Sequence, residues 1–233
     1  MIGQFVPKSF RPFELTLRMH GFMQWPAMTH KEMAVLKKVF LSLPKERPIK
    51  FFEYGAGFST IYFARFLKEQ GWAFHIDSVE NNRSWLEKVS RMIRENGLEQ
   101  EVTLHLKEFR PFWEKPGWDW SQSPAPGAFA PQSREEQEYI ALPKALEQTF
   151  DLILVDGRFR RRCLELVLGC VARNGFVVLH DAQKIQYHDP LKDYPHGRFL
   201  DSGAYFPFEQ RKYRIWLGSP ASPEVERIAG QFI

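Results

Sequence analysis

Residues Phe51–Thr60 read FFEYGAGFST. Two apolar residues lead into an acid, and two glycines follow, one residue apart. A hydroxyl pair then opens an apolar run, IYFARF, from Ile61 to Phe66. The pattern is that of a buried strand, a tight turn and the start of a helix. Glycines at such a join let backbone approach a ligand closely, and a helix N-terminus offers N–H groups that have no partner within the helix. The acid before the glycines narrows which ligand that is.

Working outward, strands alternate with helices. Thr29 is placed to cap a helix over His30–Leu43, where Met33, Leu36, Val39 and Phe40 recur at helical spacing until Pro44 stops it. Strands are expected at Ile49–Tyr54, Phe74–Glu80 and Val102–Leu106. Helices are expected at Thr60–Glu69, with Gly71 just beyond, and at Asn82–Asn96, with Trp85, Leu86, Val89 and Ile93 on one face and Gly97 as its stop. DLILVD (Asp151–Asp156) and FVVLH (Phe176–His180) are near-continuous apolar runs, the signature of parallel strands covered on both faces. A helix is expected between them, Phe159–Arg173, ended by Asn174-Gly175. Tyr205–Phe208 and Tyr213–Leu217 suggest a closing pair of strands. The alternation implies an α/β fold with a doubly wound, mostly parallel sheet.

The chain has 233 residues, 44% hydrophobic and 26% charged, which suits one globular domain with additions. Residues 1–44 are read as an N-terminal arm and helix capping the core, and residues 45–233 as the main domain. A Pro/Trp-rich insertion at about 109–147 interrupts that domain, its second half able to hold a short helix. No apolar run approaches the ~20 residues that span a bilayer, and the N-terminus lacks the apolar stretch of a signal peptide. A soluble, cytoplasmic protein without a membrane partner is the expectation. Cys163 and Cys170, seven apart, are expected on one helix face as buried small hydrophobes. The net charge of +4 permits an anionic partner without requiring one.

In a doubly wound sheet the ligand lies outside the carboxyl ends of the strands. Three such ends carry chemistry: the Glu53–Gly57 turn, Glu80 and Asp156-Gly157. Glu80 follows the glycines by about 25 residues, where a carboxylate can accept both hydroxyls of a ribose. Two adenosine cofactors fit that geometry. A dinucleotide calls for G-x-G-x-x-G, but Thr60 stands at the third glycine, and Glu53 would repel a pyrophosphate. S-adenosylmethionine carries a sulfonium and an ammonium, so an acid there helps, and Gly55 and Gly57 leave room for the methionine portion.

The chain resembles the class I S-adenosylmethionine-dependent methyltransferases. EYGAGFST is similar to their first motif and SVENNRSW to their second. FDLILVDGRFRRRC and GFVVLHDA are similar to their fourth and fifth strand motifs. The small-molecule O-methyltransferase branch, with Val-Asp-Gly and His-Asp strand ends, is the nearest match. The resemblance implies a Rossmann-like sheet of seven strands with an antiparallel last strand. It also implies Glu53, Gly55, Gly57 and Ser59 around the methionine end, and Glu80 on the ribose with Asn81 beside it. Glu108 would lie toward the adenine, and Asp156 and Gly157 would close the cofactor site.

Asp156, His180 and Asp181 end adjacent strands on the ligand face and are the candidate catalytic groups. His180 has the unperturbed pKa best suited to a base. Relatives such as catechol O-methyltransferase place two Asp and one Asn around Mg²⁺. Asp156 and Asp181 match the two Asp, but Ala182 stands at the Asn position, so Mg²⁺ is possible but not favoured. His180, His188 and His196 form a weak zinc set. Arg158, within a basic cluster with Arg160, Arg161 and Arg162, is a candidate for binding an anionic acceptor group. RNA binding would call for bases interleaved with aromatics, which the Trp113–Phe129 stretch lacks, so a small-molecule acceptor is favoured over nucleic acid. The insertion is read as a lid or a homodimer contact. The competing readings are an RNA methyltransferase, a noncatalytic nucleoside- or partner-binding module, and a nicotinamide-dependent oxidoreductase. Gly55→Val is expected to block cofactor binding sterically.

Overall fold

The structure, a computed structural model, describes residues 28–110, 130–206 and 211–232. The N-terminal arm before Met28 and the first half of the insertion, with Trp113, Trp118 and Trp120, lie outside the described residues. Seven strands form one sheet: β1 (Ile49–Tyr54), β2 (Phe74–Glu80), β3 (Val102–Leu106), β4 (Phe150–Val155), β5 (Val171–Leu179), β6 (His196–Phe206) and β7 (Arg211–Ser219). Their order is β3-β2-β1-β4-β5-β7-β6. The first five are mutually parallel, while β7 runs antiparallel to both β5 and β6. Among the described residues the α-helices are α1 (His30–Ser42), α2 (Phe58–Glu69), α3 (Arg83–Glu95), α4 (Arg134–Ala145), α5 (Arg160–Val167) and α6 (Glu224–Ala229). No helix among the described residues is long and apolar enough to cross a membrane.

Strand alternation divides the core into two halves. Phe51, Leu152, Leu154, Phe176 and Val178 pack with Leu36, Val39 and Phe40 of α1 and Phe63 of α2. Phe52, Tyr54, Ile153, Val155 and Leu179 pack with Tyr139 of α4 and Leu164 of α5. α1 thus belongs to the main core. Thr29 begins it with a full capping box, the Glu32 carboxylate accepting from Thr29 N–H at 2.7 Å and the Thr29 hydroxyl from Glu32 N–H at 3.2 Å.

Three expectations need correction. The helix expected over Phe159–Arg173 ends at Val167, and Asn174-Gly175 lies inside β5. The cause is tertiary: Phe150 N–H donates to the Cys170 carbonyl at 2.9 Å, which draws the chain into the sheet at the start of β5. Gly175 then passes so close to β4 that a Cβ would stand 2.9 Å from the Asp151 and Phe150 carbonyl oxygens. Cys170 therefore leaves the helix that carries Cys163, although both are buried free thiols. The closing strands are also longer than the two short segments suggested, and α6 was not anticipated.

Candidate active site

The turn after β1 is fastened to its neighbours. Gly55 N–H donates to the Val79 carbonyl at 2.8 Å, and Trp85 of α3 donates its indole N–H to the Ala56 carbonyl at 2.7 Å. Gly55 has φ +91°, a conformation that disfavours any side chain, and a Cβ there would lie 3.0 Å from the Gly157 Cα. A Cβ on Gly157 would fall 1.9 Å from the Tyr139 hydroxyl. The turns that follow β1 and β4 thus touch through paired glycines. Gly55→Val is consequently a backbone lesion before it is a block to a ligand. Gly57 differs: its backbone is extended, and a Cβ would meet only the Trp85 ring, at 3.9 Å.

Glu53 does not face the turn's outer side. On the alternating strand it shares a face with Phe51, beneath α2, and it is fully buried. Ser59 and Thr60 in the first turn of α2 donate short hydroxyl hydrogen bonds to its carboxylate, and Ser78 of β2 donates a third at 2.9 Å. Thr60 Oγ1 also accepts from Gly57 N–H at 2.9 Å, which accounts for a threonine where a dinucleotide fingerprint has glycine. Burial pushes the Glu53 carboxyl up to about 7, against the three hydroxyl bonds that favour its anion, and nearby Asp156 adds to the rise. Glu53 and Ser59 hold the turn and the helix start from below.

Glu80 is the last residue of β2. Its Oε1 accepts from the N–H groups of Asn81 and Asn82, both at 2.9 Å, so the carboxylate is fixed at the strand tip. Asn81 Nδ2 donates to the Phe109 carbonyl at 3.0 Å, tying this tip to the chain after β3. Glu108 pairs with Arg83 Nη2 at 2.9 Å on the exposed surface. A cavity of about 650 Å³ opens here, lined by Asn81, Arg83, Glu87, Glu108 and Phe109 among others. It borders the strand tip from the β3 side and includes neither glycine of the turn.

A charged cluster closes the ends of β4 and β5. His180 Nδ1 lies 2.7 Å from Asp156 Oδ1, and its Nε2 lies 3.6 Å from Glu32 Oε2, contributed by α1. Burial alone would lower the His180 pKa, but Asp156 and then Glu32 override it and hold the value well above the usual imidazole range. These two carboxylates favour the protonated ring of His180. The other oxygen of Glu32 is buried with no hydrogen-bond partner among the described residues.

Asp181, at φ +55°, turns its carboxylate toward Arg160 Nη1 at 3.3 Å and Lys184 Nζ at 3.0 Å. Burial opposes its ionisation, yet the cations His180, Arg160 and Lys184 hold the carboxyl well below its ordinary value. Arg160 Nη2 lies 3.0 Å from Asp156 Oδ1, so its guanidinium bridges the two strand-end acids. Three main-chain carbonyls also accept from it: Gly157 at 3.1 Å, His180 at 2.6 Å and Asp156 at 3.0 Å.

Arg158 is exposed, and its backbone N–H donates to the Tyr139 hydroxyl at 3.2 Å. Arg161 pairs with Asp189 and Glu165, and Arg162 with Glu165. His188 hydrogen-bonds the Ala182 carbonyl at 2.7 Å, His196 opens β6, and His180 is held by Asp156. Among the described residues, no group of three or more His, Cys, Asp or Glu side chains is arranged to hold a metal ion.

The residues missed from sequence are Glu32, Trp85, Tyr139 and Arg160. Glu32 had a signal, the Thr29-x-x-Glu32 capping spacing. Trp85 shares a helix face with Leu86, Val89 and Ile93, and Arg160 stands in the basic run beside Arg158, so neither carries a signal of its own.

The family described as a methyltransferase domain matches residues 52–182 of the chain. No curated protein sequence matches. Among solved structures, a Klebsiella pneumoniae protein described as an O-methyltransferase aligns with a TM-score of 0.56 at 15% identity, over 95% of this chain and 93% of that one. A Staphylococcus aureus protein described as a caffeoyl-CoA O-methyltransferase aligns at 0.54 and 10% identity, over 91% and 93%. A Geobacter sulfurreducens methyltransferase aligns at 0.50 and 14% identity, over 93% and 91%. Such identities carry the fold alone; the family match covers more than half of the chain. The chain belongs to the methyltransferase-domain family and is a class I S-adenosylmethionine-dependent methyltransferase.

Proposed function

We propose that the enzyme methylates an oxygen of a small molecule, in the cytoplasm, at the ends of β4 and β5. The observation that carries this reading is the fate of the basic cluster. Arg160 is committed to Asp156 and Asp181, and Arg161 and Arg162 pair with acids of the same chain. A backbone-tracking surface for nucleic acid needs cations whose charge is not already matched. The buried free cysteines suit a reducing compartment. The structural neighbours described as O-methyltransferases agree with the choice of oxygen.

The residues present fit S-adenosylmethionine. Gly57 presents an open backbone surface, and Glu80 stands at the strand tip, anchored to take the ribose hydroxyls. Asn81 and Glu108 would lie toward the adenine, and Asp156 and Gly157 at the methionine side. Glu53 and Ser59 would act through the shape of the turn. The cofactor supplies an electrophilic methyl group on a sulfonium. The acceptor oxygen must be held in line with it at ~3 Å, which is chiefly a matter of positioning. Methylation of a hydroxyl releases its proton, and Asp156 and His180, 2.7 Å apart at the strand ends, are the groups that would take part in moving it. Arg158, exposed just after β4, would meet an anionic group of the acceptor.

The test is transfer of labelled methyl from S-adenosylmethionine to panels of phenols, catechols and carboxylic acids, with bulk RNA alongside. Label in a small molecule is the expected result. Label in RNA alone would sink the proposal.

A further inference from the structure

Methyltransferases that bind Mg²⁺ at these strand ends need oxygen ligands free to receive it. In this chain the oxygens converge on Arg160. Asp156 Oδ1 lies 3.0 Å from Nη2 and Asp181 Oδ2 lies 3.3 Å from Nη1. The carbonyls of Gly157, His180 and Asp156 take hydrogen bonds from the same guanidinium. Five oxygens therefore surround one fixed cation, the donor type that a hard divalent ion would otherwise use. The Tyr187 ring covers the guanidinium, with the Arg160 Cζ 5.8 Å from its centroid. Lys184 adds a second cation to Asp181 at 3.0 Å. Ala182, at the position where relatives carry Asn, is fully buried and offers only a methyl group.

We propose that Arg160 takes the place of the divalent cation and that methyl transfer by this enzyme needs no metal. A divalent ion would have to expel a guanidinium whose side chain is only 13% exposed, leaving that charge buried without its partners. Arginine keeps its charge at every accessible pH, so the cation is permanent. The two acids are then unavailable for chelation. The acceptor class that follows is one presenting a single nucleophilic oxygen, not a vicinal diol that must be chelated to be activated. The inference rests on the methyltransferase reading, with the acceptor at the ends of β4 and β5.

The experiment is a titration of the 233-residue chain with Mn²⁺, followed by electron paramagnetic resonance, with S-adenosylhomocysteine binding measured on the same samples. The parent is expected to take up no Mn²⁺ up to about 1 mM, the weak end of biological carboxylate sites. Arg160→Ala is expected to gain about one Mn²⁺ per chain, lost again when Asp181→Asn is added. One Mn²⁺ bound by the parent and lost in Asp181→Asn alone would overturn the proposal. So would a folded Arg160→Ala that gains none. If Arg160→Ala does not fold, the parent and Asp181→Asn titrations decide the matter between them. Failure of S-adenosylhomocysteine to bind would count against the methyltransferase site, and the Mn²⁺ result would stand apart from it.

Discussion

A carboxylic acid sealed beneath a glycine turn has a measurable signature. Glu53 has its pKa raised to about 7 from 4.5, so the folded protein binds its proton more tightly than the unfolded chain does. Its contribution to stability is full below about 4.5 and is lost as pH rises toward 7, a loss of about 3 kcal/mol at 1.36 kcal/mol per unit. His180 works in the same direction at higher pH. Its folded pKa is raised above 6.5, so its contribution is full below 6.5 and fades as pH rises through the folded value. Comparison with Glu53→Gln isolates the acid, because the amide keeps hydrogen-bonding capacity for Ser59, Thr60 and Ser78 without titrating. Thermal melts from pH 5 to 7.5 should show the parent losing stability more steeply than the variant. Parallel curves would mean that Glu53 is not sealed as described.

Among the elements, the first half of the sheet was readable to the residue. Ile49–Tyr54, Phe74–Glu80 and Val102–Leu106 are short apolar or alternating runs separated by capped helices and glycine stops, so local pattern and tertiary structure agree. The apolar continuity from Cys163 through Val171 hid the boundary between α5 and β5, because helix and buried strand look alike when both are apolar. Side-chain direction was harder. Alternation sets Glu53 on the α2 face, yet only the assembled fold reveals that three hydroxyls meet it there. Arg160 reads as surface charge, and its inward course depends on carbonyls brought from β4 and β5. Glu32 reaches His180 from α1, whose N-cap at Thr29 was legible. Thr29→Ala should cost about 1 kcal/mol by removing the acceptor for Glu32 N–H, lowering Tm by about 2–4 °C in calorimetry. An unchanged Tm would show that α1 is held without the box.

For the molecule as a whole, the ends of β1, β2, β4 and β5 meet along one edge of the sheet, and each carries a different duty. β1 supplies the glycine turn, β2 the Glu80 that we propose takes the ribose, and β4 and β5 the charged cluster. The paired turns of Gly55 and Gly157 lock β1 against β4, so the proposed cofactor and acceptor sides would share one backbone contact. The most direct test of this division is calorimetric titration with S-adenosylhomocysteine of the parent and of Glu80→Ala, with NAD(H) as the control ligand. The account predicts saturable binding of about one S-adenosylhomocysteine per chain and none of the dinucleotide. It also predicts at least about tenfold weaker binding by Glu80→Ala, the loss expected when charge-assisted hydrogen bonds to the ribose are removed. Binding of S-adenosylhomocysteine by Glu80→Ala as tight as by the parent would contradict the placement of the site.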